Sequence, residues 1–91
     1  MENKEDFVKR ADAHILLANE QISDEVSSGE VSASFMYGMT RFNAWIAACE
    51  FESAEDMSTE KEKVIEYFSS QYKNMLEEHI NNHIEHFDFK K

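Results

Sequence analysis

Apolar residues recur along most of this chain at intervals of three and four, the spacing that lines up one face of an α-helix. Val8, Ala11, Ile15, Ala18 and Ile22 form the first such stripe and predict a helix over about 5–26. Glu5 with Lys9, and Asp6 with Arg10, support it as acid-first pairs four residues apart. Ser27-Ser28-Gly29 is expected to end it, glycine being the residue that tolerates a left-handed exit. Val31, Phe35, Met39, Phe42, Ile46 and Cys49 predict a second helix over about 31–50. Ser53-Ala54-Glu55-Asp56 has the spacing of a capping box, repeated at Thr59-Glu60-Lys61-Glu62. A short helical turn at 53–58 and a third helix over about 59–87 are therefore expected. The inward stripe of that helix is Val64, Ile65, Phe68, Tyr72, Met75, His79 and His83.

The sequence has no proline and two glycines, so it has few places to turn. Short connections make neighbouring helices antiparallel, and the expected fold is all-α, an up-down-up three-helix bundle in a single domain, 1–91. Its C-terminal helix would be roughly 42 Å long against about 33 Å for the first, so its last turns overhang. Ile80, Ile84, Phe87 and Phe89 lie on that overhang.

The second helix is apolar nearly all round. From Val31 to Cys49 its one charged residue is Arg41, and Met36, Tyr37, Trp45 and several alanines flank the main stripe. A helix of that kind is normally covered on more than one side. Leu16 and Leu17 add an apolar belt to the first helix. Surplus apolar surface of this extent marks an interface. The expectation is a homo-oligomer, with a symmetric dimer favoured, and an unidentified protein partner besides.

Composition narrows the function classes. Nine basic residues against nineteen acidic ones give a formal charge of −10, which repels phosphate backbones and argues against nucleic-acid binding. No apolar run approaches the length of a membrane span. The charged start, Met1 to Asp6, is followed by no signal-peptide core, and one cysteine permits no internal disulfide. Together these point to a cytoplasmic protein.

Few residues suggest chemistry. His79, His83 and His86 share a helical face, and two imidazoles four apart can chelate a divalent metal such as zinc. The zinc-enzyme motif puts a glutamate directly after its first histidine, whereas Ile80 follows His79. His14, near the start of the first helix, lies too far away to join them. Tyr37, Arg41 and Trp45 are four apart, so the guanidinium could lie between two rings. Arg41 is expected to pair with an acid of the first helix such as Asp12, and mid-helix Asn43 needs partners for its amide. Cys49, on the inward stripe, reads as a small buried hydrophobe. No phosphate loop, serine elbow or paired-cysteine motif is present, so no catalytic residues are assigned.

Four segments carry a resemblance. Arg10-Ala11-Asp12-Ala13-His14, Val31-Ser32-Ala33-Ser34-Phe35-Met36-Tyr37, Arg41-Phe42-Asn43-Ala44-Trp45 and Phe51-Glu52-Ser53-Ala54-Glu55-Asp56-Met57 together resemble a small family of uncharacterised proteobacterial proteins. The resemblance spans nearly the whole chain and implies a bacterial cytosolic protein of this length. It supplies no activity, cofactor or site residue. The reading that follows is a non-catalytic helical protein acting through self-association and protein–protein contact. The alternative is a metal-binding protein using the C-terminal histidines.

Overall fold

The computed structural model describes residues 3–90. They form three helices, α1 (Lys4–Gln21), α2 (Ser28–Ala48) and α3 (Ala54–His86), with no strand among the described residues. The expected all-α class and long third helix are both present. α3, at 33 residues, is roughly 50 Å long, against about 27 Å for α1. The chain divides into two compact units, one ending at Phe42 and the other beginning at Asn43.

In the first unit α1 starts at Asn3, whose side chain accepts the Asp6 N–H at 2.8 Å and so satisfies one of the orphan donors of the first turn. α1 stops at Gln21, five residues before the periodicity alone predicts. The cause is local. Ile22 turns extended, and the Ser23 hydroxyl accepts the N–H groups of Glu25 and Val26, each at 3.2 Å. Serine thereby offers the backbone an alternative to the helix.

Ser27 then opens α2 with a reciprocal capping box that the sequence reading missed. Its hydroxyl accepts the Glu30 N–H at 3.1 Å, while the Glu30 carboxylate accepts the Ser27 N–H at 2.9 Å. That bond from the Ser27 backbone, reinforced by the Ser27 side chain, holds the Glu30 carboxyl below its ordinary value of 4.5. The box therefore contributes fully above that value and is lost as pH falls through the lowered one. Gly29, expected at a left-handed exit, instead lies in the first turn of α2, and no described glycine has positive φ.

Burial in this unit is sparse. Val31 is buried at 4% exposure, with Ala18 and Met39 half-buried. The expected stripe of α1 is otherwise exposed, Val8, Ile15 and Ile22 included.

The second unit holds the end of α2, a tight link and α3. Glu50 and Phe51 donate their N–H groups to the Ala47 and Ala48 carbonyls at 3.0 and 3.1 Å, drawing the end of α2 into a narrower turn. Ser53 caps α3 by accepting the Asp56 N–H at 3.0 Å. The turn at 53–58 and the helix from 59 are one continuous helix. Thr59 is no cap, because its hydroxyl donates to the Glu55 carbonyl one turn back, at 3.1 Å. Phe51, Met57, Glu60, Val64 and Phe68 are half-buried and Ala47 is buried. Cys49, expected on the inward stripe, is exposed. The covered positions of α2 are Val31, Met39, Asn43 and Ala47, which share a row of every fourth residue. Phe42 and Ile46 fall off that row and are exposed. Small Ala47, rather than large Ile46, is what the structure covers.

Gly38 lies inside α2, and a methyl group added there would meet nothing within 4 Å. Gly38→Ala should therefore stabilise the protein by up to about 1 kcal/mol, the helix-propensity difference. Thermal unfolding at fixed protein concentration should show a rise of roughly 4–8 °C per kcal/mol. An unchanged or lowered midpoint would mean that position 38 is closely covered.

Candidate functional site

The exposed apolar residues are the most extensive candidate surface, and local hydrogen bonding accentuates it on α2. The Ser34 and Thr40 hydroxyls donate to their own helix, to the carbonyls of Val31 and Tyr37, each at 3.0 Å. Their hydroxyl protons are thus spent internally. Tyr37 (70% exposed) and Trp45 (60%) both stand out from α2, and Met36 and Phe42 are exposed as well. Arg41 is exposed and makes no ion pair among the described residues, so the expected bond to Asp12 is absent. The reason is exposure: no described charged side chain is buried, and a solvated guanidinium needs no carboxylate. Asn43 is half-buried, and no buried side-chain polar atom lacks a partner among the described residues. On α1, Leu16 and Leu17 are exposed, as a surface belt would require.

The second half of α3 is barer still. From Ser69 to His86 no residue is even half-buried, over roughly 27 Å of helix. Tyr72, Leu76, Ile80 and Ile84 continue there the every-fourth-residue row begun by the half-buried Val64 and Phe68. Met75, His79 and His83 lie beside that row. Of the stripe expected to face inward, Val64 and Phe68 are half-buried, whereas Ile65, Tyr72, Met75, His79 and His83 are exposed. At the end of the helix, the rings of His83 and Phe87 meet edge-on at 5.4 Å, and those of Phe87 and Phe89 at 5.0 Å.

His79, His83 and His86 are all exposed. The described residues bring no group of three potential ligands together around a metal position.

At the first half of α3 there is an open hollow of about 440 Å³. The end of α2 contributes Ile46 and Ala47, and α3 contributes Val64, Tyr67 and Phe68, with Phe51 from the link. Glu50, Glu60 and Lys63 are charged lining residues, and Lys63 reaches Glu60 at 3.4 Å. This is a surface pair, worth little energetically. The lining holds no nucleophile–base pair. Sequence reasoning missed the hollow, because periodicity within a helix does not say where its neighbour stops. The link Cys49–Glu52, too short to span α3, was the available signal.

The comparisons agree with this geometry. The model of a family described as protein of unknown function (DUF3144) matches residues 7–84. The chain belongs to this family. It is similar to the protein NB7890A from Shewanella sp., solved by NMR, with 40% identity and a TM-score of 0.79. The likeness covers 94% of this chain and 91% of the Shewanella one. No curated protein matches the chain. The likeness supports the all-α helical fold.

Because Cys49 is exposed, a maleimide should modify it stoichiometrically in the folded protein, at a rate close to that of the unfolded chain. Modification only in denaturant, read by mass spectrometry, would return Cys49 to the covered stripe.

Proposed function

We propose that this protein is non-catalytic and acts through self-association and contact with other protein. The observation that carries the reading is how little apolar surface the chain covers for itself. Among the described residues Val31 and Ala47 are the buried apolar ones, while large side chains of every helix are exposed. Leu16, Tyr37, Phe42, Trp45, Tyr67 and Ile84 are each more than half exposed, and exposed apolar patches mark interaction sites on soluble proteins.

Chemistry points the same way. The hollow offers apolar walls and an ion pair, and the histidine face offers two imidazoles one turn apart. Neither assembles an acid, a base and a nucleophile. No helix of the described residues is long and apolar enough to cross a membrane, so the apolar faces are read as protein-binding rather than membrane-spanning. The formal charge of −10 favours a partner surface carrying compensating positive charge around an apolar centre.

Sedimentation equilibrium of the untagged chain at micromolar concentration should give a multiple of its 10.6 kDa mass. A mass of one chain across the micromolar range would count against self-association.

A further inference from the structure

We propose that His79 and His83 form a two-imidazole clamp for one late first-row divalent metal ion, such as zinc or copper(II). The proposal goes beyond the reading of the protein as self-associating and does not depend on it. Its geometry comes from the helix. Both residues lie within α3, four positions apart, and both are exposed. Four residues advance an α-helix by about 6 Å and bring the chain roughly 40° past one full turn. Side chains at that spacing hold their Cβ atoms about 5–6 Å apart on one face. Two imidazoles so placed can converge on one ion, each through a metal–nitrogen bond of about 2.0–2.1 Å. The helix fixes both points of attachment before the ion arrives, which lowers the cost of ordering them.

His86 lies seven residues from His79, about 10 Å along the helix axis. The described residues bring no third histidine, cysteine or carboxylate into a metal-binding group. The clamp therefore supplies two donors and leaves the other positions to water. An ion held in this way is exchangeable, unlike one closed in by the four ligands of a structural zinc site. Imidazole suits zinc, copper and nickel, whereas magnesium and calcium take oxygen donors, and copper(II) should bind more tightly than zinc.

Charge around the pair favours a cation. Between Lys73 and Lys90 the sequence has no lysine or arginine, while Glu77, Glu78, Glu85 and Asp88 bring four carboxylates. Their field raises the local concentration of cations without adding donors to the clamp. His83 stands in the last turn of α3, where the free carbonyls carry the negative end of the helix dipole. A bound ion would also tie together two successive turns in the stretch where no residue is even half-buried. Because the clamp exists only in the helical form, binding draws the equilibrium toward helix.

The test is calorimetric titration of the untagged full chain with zinc chloride in a buffer that does not bind metal. One zinc per chain is expected, with amide exchange around residues 79–83 slowed on loading. His79→Ala and His83→Ala should each weaken binding by at least about tenfold, no less than the loss of a supporting residue around a metal ligand costs. His14→Ala and His86→Ala should leave the affinity unchanged. His83→Ala combined with Asn81→His keeps the number of histidines but puts the second imidazole on the far side of the helix. It should bind as weakly as His83→Ala alone, and circular dichroism of each variant before zinc is added checks that α3 is still formed. Unweakened binding after loss of either imidazole would overturn the clamp and give the zinc to the carboxylates. So would a loss with His86→Ala as large as that with His79→Ala, which would mean a three-histidine site. One zinc per two chains would make the ion a bridge between copies and equally overturn it.

Discussion

Cover for apolar helical surface is the constraint on which the rest of this structure depends. Each helix satisfies its backbone internally, and each start is closed by a local device: Asn3, the Ser27–Glu30 box and Ser53. Such caps are worth about 1 kcal/mol apiece. They fix where helices begin without making them stable. In water, helical stability comes mostly from packing an apolar face. Among the described residues few apolar side chains are buried, and those of α1, α2 and above all the second half of α3 are exposed.

Much of the fold was legible because it is local. The three-and-four spacing of apolar residues, the absence of proline and the Ser53 capping box place three helices in order. The errors share a cause: short-range hydrogen bonds compete with periodicity. Ser23 ends α1 early by binding the Glu25 and Val26 amides. Ser27, read as part of a terminator, starts the next helix. Thr59, which has the spacing of a cap, turns its hydroxyl back on Glu55 and leaves α3 unbroken.

The candidate surface was only half legible. Sequence pointed to surplus apolar surface at Leu16, Leu17, Tyr37 and Trp45, and these residues are exposed. It also expected Cys49 to be covered and Arg41 to be paired, and both are exposed. Those expectations assumed that an apolar stripe finds its cover within the same chain. Periodicity identifies the face that should be covered, whereas the length and termination of neighbouring elements decide whether it is. The same assumption hid the hollow beside Val64 and Phe68.

A helix with no cover frays and exchanges its amide hydrogens quickly, whereas one held in an interface exchanges only when the interface opens. Hydrogen exchange of residues 69–86, followed over a hundredfold range of protein concentration, therefore tests the account most directly. The account predicts that protection there rises with concentration toward that of the Val64–Phe68 segment. Fast exchange independent of concentration would contradict it, showing that this face stays in water.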